Sequence, residues 1–471
     1  MEEKDAQFWL GMWKSRCGDY LFAKTASTET SEVHALNLCD DSNAPFVIQP
    51  RKFGLRYDVA SDPISKSFIV VTNKDKSLNN RLMITPTSSP NISNWVEFMP
   101  HSKSRLVDDV YVFKNHLVIE GRESSLPQIW IVKRGEDNGF DIKTLSRVKL
   151  GDDGELCDVS VRSNKEFQTE FLNLSYSSLT TPNKVLDMNM DDFSNIHVIK
   201  QTPVLNFDSN LYISRRFFAV APDKTKIPMS LVCRKDVWDM KSKLKDPKPV
   251  HLYGYGSYGI SIDPYFRRDI LPLLDRGMIF AIAHIRGGGE NGRHWYEVEG
   301  KYLTKRNTFS DFVACAEYLV ESKITSPEIM SCEGRSAGGL LMGNVINMRP
   351  DLFKCAVAGV PFVDLMVTMC DPSIPLTTNE WYCFHFHFFR PSPNRPSKTH
   401  MHITGRNGEI RMNQSISITC YRTHLLTTFE LSRIPIFSSQ LVYTTHELHT
   451  GNPQNGQANF VLTKRVRTLL L

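Results

Sequence analysis

The sequence predicts an all-β region, then an α/β region with a mostly parallel sheet, and last a divergent tail, and three observations support this division. Residues 1–204 contain short apolar–polar alternations separated by turn residues, without helical periodicity between them. Residues 205–381 alternate apolar strands with helical segments, as a parallel sheet requires. From residue 382 to residue 471 that alternation is lost, which defines a divergent tail.

Strands are predicted in the first region wherever apolar and polar residues alternate. The predicted strand segments are DYLFAKTAS, EVHALNLCD, SFIVVTNKD, RLMITPTS, DVYVFKNHLVIEGR and PQIWIVKRG. Each is bounded by Asp, Asn, Gly, Ser or Pro, which favour turns. Strands at this spacing are typical of a sandwich, a barrel or propeller blades, and the periodicity alone leaves these architectures open.

The second region, which starts after about Phe207, opens with a predicted hairpin formed by RRFFAVAPD and IPMSLVCRKD. Predicted strands follow at KPVHLYGYG, MIFAIAHIRGG, EIMSCEG and CAVAGVPFV, and predicted helices at FRRDILPLLDRG, NTFSDFVACAEYLVESK and AGGLLMGNVINM. Apolar strands that alternate with helices imply a mostly parallel sheet covered on both faces.

The bulk composition excludes several classes of protein. No apolar run is long enough to span a bilayer, and the first residues, Met-Glu-Glu-Lys-Asp, are not those of a signal peptide. The ten cysteines are scattered without a CxxC pair, which argues against a disulfide framework or a zinc ribbon. A formal charge of +5 is too small to indicate nucleic-acid binding. We therefore expect a cytoplasmic protein that needs no metal or cofactor and binds neither nucleic acid nor membrane; its oligomeric state is left open.

Gly334-Arg335-Ser336-Ala337-Gly338 fits the pattern G-x-S-x-G and lies between a predicted strand and a predicted helix. In that position the chain must turn sharply, and the pattern predicts Ser336 at the apex as a nucleophile. The N–H of Ala337 would then face a developing oxyanion at the start of the helix. The alternative is a turn that has only a structural role.

Two glycine-rich loops precede this motif, LYGYGSYG at residues 252–259 and HIRGGGENG at residues 284–292. Each follows a predicted parallel strand, so both loops should open on the same edge of the sheet as Ser336. Phosphate binding is the rival interpretation, but neither loop has the GxxxxGK[ST] spacing.

These segments, together with GRSAGGLLMGNVINMRPDLF and VPFVDLMVTMCDPSIPLTTNEW, resemble the prolyl oligopeptidase family of serine peptidases, and within it the oligopeptidase B branch. The resemblance runs from about Phe207 to Trp381 and extends more loosely into the first region. It implies an α/β-hydrolase catalytic domain at 205–381, preceded at 1–204 by part of a β-propeller that limits access to short peptides. It also implies that residue 1 lies within the propeller.

The resemblance assigns roles to individual residues. Ser336 would be the nucleophile, and Tyr255 would donate its hydroxyl to the oxyanion beside the Ala337 N–H. Tyr258 would flank the side chain on the amino side of the scissile bond. Glu380 would receive a basic side chain there, which implies cleavage after Arg or Lys. A carboxylate suits that role because a guanidinium can pair with it through two hydrogen bonds.

The tail departs from the family pattern. From Trp381 onward it contains ten Lys or Arg, three Glu, no Asp and seven of the fourteen histidines. The family's aspartate and histidine motifs, which the chain order Ser…Asp/Glu…His places after the nucleophile, are not recognisable there. His446, Glu447 and His449 lie near an LVY segment but without triad spacing.

Three functional hypotheses therefore remain. The chain is a serine endopeptidase that acts through an acyl-enzyme, an inactive relative that only binds peptides or partners, or a hydrolase of another class such as an esterase. The abrupt loss of pattern further suggests that the tail derives from a shifted reading frame or a retained non-coding segment.

Overall fold

The computed structural model describes residues 2–5, 7–39, 44–150 and 156–363, and the backbone of four strands between 401 and 444. The chain divides into two units. Unit 1 comprises Met1–Arg215, Asp263–Leu271 and Gly289–Val298, and unit 2 comprises Arg216–Ile262, Pro272–Gly288 and Glu299–Leu471. The domain bounds 1–204, 205–381 and 382–471 remain a prediction from the sequence.

In its described residues, unit 1 contains four antiparallel sheets, each of four strands that follow one another along the chain. The first sheet is formed by β1 (Trp9–Lys14), β2 (Tyr20–Ala26), β3 (Ser31–Asn37) and β4 (Phe46–Gln49). The second is formed by β5 (Tyr57–Asp62), β6 (Ser67–Thr72), β7 (Arg81–Pro86) and β8 (Val96–Met99). The third is formed by β9 (Arg105–Val112), β10 (His116–Glu123), β11 (Leu126–Lys133) and β12 (Ser146–Arg147). The fourth is formed by β13 (Cys157–Val161), β14 (Phe171–Ser178), β15 (Thr181–Asn189) and β16 (Ile196–Gln201).

These sheets pack face to face, and strand β6 shows how. Successive side chains of a strand point to opposite faces of its sheet. Phe68 and Val70 of β6 belong to a core shared with the first sheet, whereas Ile69 and Val71 belong to a core shared with the third. A further core joins the third sheet to the fourth. Sheets stacked in chain order, with the second and third buried on both faces, are the arrangement of propeller blades, which resolves the architecture that periodicity left open.

The two later segments of unit 1 are tied to these sheets by polar contacts. Arg122 of β10, which is 8% exposed, donates to Asp263 through both terminal nitrogens of its guanidinium. The hydroxyl of Ser125 donates to Asn291. Helix α2 (Arg293–Glu297) carries Glu297, which accepts a hydrogen bond from Arg56 at 2.8 Å.

The second large feature is a seven-stranded mixed sheet. Its strands before the tail are β17 (Tyr212–Val220), β18 (Lys226–Arg234), β19 (Val250–Gly254), β20 (Ile279–Ala283), β21 (Met330–Arg335) and β22 (Cys355–Gly359). The spatial order is β17-β18-β20-β19-β21-β22, and the four strands from β20 to β22 in that order run parallel. The seventh strand, β26 (Gln440–Thr444), pairs antiparallel with β22. The predicted alternation of strands and helices in this region is confirmed.

Among the described residues, three helices accompany this sheet: α1 (Leu271–Leu274), α3 (Arg306–Glu321) and α4 (Ala337–Met348). Helix α4 packs on β21 and β22 and also contacts α3. The helix predicted over FRRDILPLLDRG is much shorter than expected. Pro272 disfavours helical backbone in the residues before it. Gly277 then ends the segment with φ +85°, where N–H groups of Gly277 and Met278 bond back to carbonyls of Leu274 and Leu273.

In the tail, the segments SISITCY and SQLVYTT, which resemble isolated strands in sequence, contain β25 (Ile416–Thr419) and β26. A three-stranded antiparallel sheet contains β25 together with β23 (Met401–Ile403) and β24 (Glu409–Met412), two strands that the sequence did not predict. No helix within the described residues is long and apolar enough to cross a membrane. Over the same residues, no cluster of three or more His, Cys, Asp or Glu side chains could hold a metal ion.

Candidate active site

Ser336 lies at the junction between β21 and α4 in a strained backbone conformation. Its φ of 55° and ψ of −115° fall outside the regions that side chains with a β-carbon normally adopt. The Ser336 N–H donates to the carbonyl of Gly359 at 2.9 Å, and its own carbonyl accepts from Gly339 and Phe362 at 2.8 and 3.0 Å. These bonds hold the turn from both sides and leave the serine exposed. The structure therefore places Ser336 where the motif predicts it.

Close approach requires the glycine before Ser336 and favours the glycine after it. A β-carbon at Gly334 would lie 2.2 Å from the carbonyl oxygen of Gly338, which is far inside van der Waals contact. One at Gly338 would lie 3.0 Å from the carbonyl oxygen of Gly254, the last residue of β19. The pattern G-x-S-x-G thus reflects the packing of the turn against itself and against the neighbouring strand.

Ala337 is the first residue of α4 and is buried. The first four N–H groups of a helix have no intrahelical acceptor, and they lie at the positive end of the helix dipole. The Ala337 N–H therefore lies at a helix terminus that favours an anion beside Ser336, the position that its predicted role requires.

Tyr255 follows β19 directly and lies beside the same turn. A β-carbon at Gly338 would be 3.4 Å from the Tyr255 ring atom Cδ2, so the ring borders the start of α4. Since β19 and β21 are adjacent and parallel, their carboxyl ends bring Tyr255 and Ser336 to one edge of the sheet. The structure thus brings together three of the residues predicted from the sequence: Ser336, Ala337 and Tyr255.

The other two predicted residues differ in status. Tyr258 lies in the same loop as Tyr255, is 38% exposed and has a φ of 59°. A left-handed conformation is uncommon for a residue with a bulky side chain, so the loop holds this position against its local preference. Glu380 lies outside the described residues, as do His446, Glu447 and His449.

The second glycine-rich loop is anchored by a buried ion pair. Arg286 and Asp311 of α3 are 2% and 0% exposed, and the Arg286 atoms Nε and Nη2 donate to the carboxylate at 2.9 and 2.6 Å. Burial raises the pKa of Asp311, and the donors from Arg286 act in the opposite direction. Arg286 also holds the pKa of Asp223 at about 2 by hydrogen bonding to it. The loop after β20 is therefore fixed to α3, and its Gly287 carbonyl accepts from Gly259 of the Tyr255 loop at 3.0 Å.

The described residues supply no acid–base pair for Ser336. Between Ala337 and Val363 they include one acid, Asp351, and no histidine. Asp351 follows the far end of α4, is exposed and accepts from Arg349 at 2.7 Å. In the sheet, His251 bonds Ser331 at 2.8 Å and Glu333 at 2.9 Å, both on β21. His251 is therefore bonded to residues of β21 that precede the Ser336 turn, and not to Ser336.

Sequence reasoning missed two residues that support the two glycine-rich loops. Lys305 donates from Nζ to the Gly256 carbonyl at 2.5 Å and to the Ser257 hydroxyl at 2.6 Å. The hydroxyl of Thr308, which is fully buried, donates to the Arg286 carbonyl at 2.7 Å. Both lie near the start of α3, some fifty residues from the loop, and the only signal in the sequence was the polar start of that predicted helix.

Comparison with known proteins agrees with this geometry. Residues 264–388 match the prolyl oligopeptidase family, and residues 1–201 match the N-terminal β-propeller domain of prolyl oligopeptidase. The chain belongs to the prolyl oligopeptidase family. These matches confirm the predicted fold class, an α/β-hydrolase domain preceded by part of a β-propeller.

Relatives within this family include oligopeptidase B and protease 2. Oligopeptidase B from Leishmania major is 45% identical with a TM-score of 0.74, over 81% of this chain and 52% of its own. The Trypanosoma brucei enzyme is 47% identical with a TM-score of 0.74, over 80% of this chain and 53% of its own. Protease 2 from Moraxella lacunata is 36% identical over 86% of this chain and 57% of its own length. The chain thus spans little more than half of each relative.

Proposed function

We propose that this chain is a serine peptidase that cleaves short peptides after Arg or Lys through an acyl-enzyme on Ser336. The observation that carries the proposal is the strained, exposed Ser336 between β21 and the N-terminus of α4. In a relative, the Trypanosoma brucei oligopeptidase B, the solved structure contains covalently bound antipain. A covalent intermediate on Ser336 agrees with that precedent.

In the proposed reaction the Ser336 oxygen attacks the peptide carbonyl, and its proton passes to a general base outside the described residues. The Tyr255 hydroxyl and the Ala337 N–H stabilise the negative charge on the carbonyl oxygen. The C–N bond then breaks, the amine leaves with a proton, and an ester to Ser336 remains. Water hydrolyses this ester and restores the serine. Tyr258 and Glu380 are proposed to contact the side chain before the scissile bond.

One observation favours a second candidate, a protein that binds peptides without cleaving them. Neither the described residues after Ser336 nor the tail sequence contains a recognisable aspartate–histidine pair for the triad. Loss of triad members in serine peptidases leaves only the residual rate due to the oxyanion site and binding.

Labelling of the full chain with a fluorophosphonate, with Ser336→Ala as the control, separates the two candidates. Stoichiometric labelling that the variant lacks supports an activated serine, and no labelling supports the binding protein. Amide substrates with Arg, Lys or Leu before the scissile bond, compared with a simple ester, then test specificity and the esterase alternative. We also propose that the chain acts in the cytoplasm, and on peptides rather than on nucleic acid or membranes. Cell fractionation followed by detection of the chain tests the proposed location.

A further inference from the structure

The loop that carries Tyr255 is held by an ammonium group to which the proposed mechanism assigns no role. Lys305 ends a short 3-10 helix, Tyr302–Lys305, directly before α3. Its Nζ contacts the loop twice, at the Gly256 carbonyl (2.5 Å) and the Ser257 hydroxyl (2.6 Å). Hydrogen bonds from an ionised donor are shorter and stronger than those between neutral groups.

The Gly256 carbonyl needs such a donor because its surroundings are closed. Gly256 is buried with φ +66°, and a β-carbon there would lie 2.6 Å from Cγ2 of Thr308. The Thr308 hydroxyl is 3.5 Å from the same carbonyl oxygen, at the limit of a hydrogen bond. A buried carbonyl that loses its donor carries a full desolvation cost. Without Lys305 the loop would therefore change its path to reach another donor.

A change at Gly256 is transmitted directly to Tyr255, the preceding residue. The far end of the loop is fixed independently, since the Gly259 N–H donates to the Gly287 carbonyl at 3.0 Å. The near end emerges from β19, which is paired on both sides. Between these fixed points, the contact with Lys305 sets the direction of the peptide unit that joins Gly256 to Ser257, one residue after Tyr255.

We propose that Lys305 is a positioning residue that orients Tyr255 for oxyanion stabilisation at Ser336. Lys305 acts through the Gly256 carbonyl and the Ser257 hydroxyl and does not itself contact the reacting atoms. This inference rests on the proposed function, because it assumes that Tyr255 donates to the oxyanion. It adds a specific residue that controls whether Tyr255 can do so.

Two measurements on the full chain test the inference. The first is the rate of fluorophosphonate labelling, in which the Ser336 oxygen bonds phosphorus, fluoride leaves and the hydroxyl proton passes to the base. We expect Lys305→Met to slow labelling about tenfold, as Tyr255→Phe should, and Lys305→Arg to restore most of the rate. Lys245→Met, which alters an exposed lysine in the same unit, is the matched control and should have no effect.

The double variant decides between positioning and general stability. If Lys305 acts through Tyr255, Lys305→Met should slow labelling less than twofold in a Tyr255→Phe background. A full tenfold effect in that background would overturn the inference, because it would show that Lys305 acts on Ser336 by another route.

The second measurement, hydrogen–deuterium exchange of residues 255–259, does not depend on an active serine. Lys305→Met should accelerate exchange in this loop and leave β21 unchanged. Unchanged exchange in the loop would overturn the inference even if the wild-type chain is labelled. If the wild-type chain is not labelled but exchange accelerates, the proposed function fails while the role of Lys305 in holding the loop stands.

Discussion

Removal of the negative charge of Asp311 should destabilise unit 2 strongly. The Asp311 carboxylate accepts from three Arg286 donors, the backbone N, Nε and Nη2, at 3.0, 2.9 and 2.6 Å. In Asp311→Asn the side chain keeps its shape, but one acceptor becomes an NH₂ group that faces a donor. The Arg286 guanidinium then remains buried without its principal counter-charge.

The magnitude follows from the burial of both partners. Breaking a buried ion pair by neutralising one partner costs about 3–5 kcal/mol. Asp223 and Glu299 lie 2.5 and 3.6 Å from Nη1 of Arg286 and still balance part of its positive charge in the variant. The expected loss of stability is therefore near the lower limit, about 3 kcal/mol. With a urea dependence of ~2 kcal/mol per molar, the midpoint of unit 2 unfolding should fall by ~1.5 M.

Hydrogen–deuterium exchange of peptides from β20 and α3, measured across a urea series, reports this unit separately from unit 1. The matched control is Asp351→Asn, which removes an exposed carboxylate from Arg349 and should cost about 0–1 kcal/mol. If Asp311→Asn costs less than 1 kcal/mol, or no more than Asp351→Asn, the argument from burial is refuted.

Three further predictions concern the serine turn and a carboxylate of unit 1. Ser336→Gly should be more stable to urea than Ser336→Ala by about 1 kcal/mol, because glycine relieves the strain at φ 55° and alanine does not; equal stabilities would contradict the strain. Gly334→Ala should destabilise the turn by about 2 kcal/mol or more, since its β-carbon would meet the Gly338 carbonyl at 2.2 Å, and an unchanged melting temperature would contradict this. Asp109 of β9 is partly exposed to solvent, yet desolvation of its carboxylate raises its pKa to about 6. The negative charge of Glu120, which lies opposite it on β10, contributes to this rise in pKa. Asp109 therefore binds a proton more tightly in the folded state than in the unfolded state, and its ionisation lowers the free energy of unfolding as pH rises from about 4 to 6. Asp109→Asn should raise the free energy of unfolding by about 0.5–1 kcal/mol at pH 7 and leave it unchanged at pH 4.

The sequence predicted the serine turn because its determinants are local. Five adjacent residues contain both the strained serine and the glycines that its packing demands, and an apolar strand and a helix flank them. The two glycine-rich loops were placed at the correct sheet edge because parallel strands share a carboxyl end. The order of these motifs along the chain is therefore enough to group Ser336, Ala337 and Tyr255.

The parts that could not be predicted depend on contacts distant in sequence. Strand β19 lies between β20 and β21, and it pairs with residues of β21 that are eighty positions away in sequence. The local periodicity of the sequence contains no information on such distant pairing. Lys305 and Asp311 resemble ordinary polar residues at the start of an amphipathic helix, and only the fold reveals that they fix two loops. The helix over FRRDILPLLDRG was overestimated because its apolar spacing outweighed the local effects of Pro272 and Gly277.

The division of unit 1 between separate stretches of the chain has a consequence for splitting the protein. Asp263 and Asn291 come after β19 and β20 in sequence, yet Arg122 and Ser125 bind them within unit 1. Strand β18 likewise pairs with β20, although the mostly exposed, lysine-containing segment 241–248 lies between these strands in sequence. Two polypeptides separated within that segment would each lack part of a folded unit and would regain it only by reassociating. The segment is thus a natural point for a fragment-complementation system, in which recovery of the fold reports that the two halves have met.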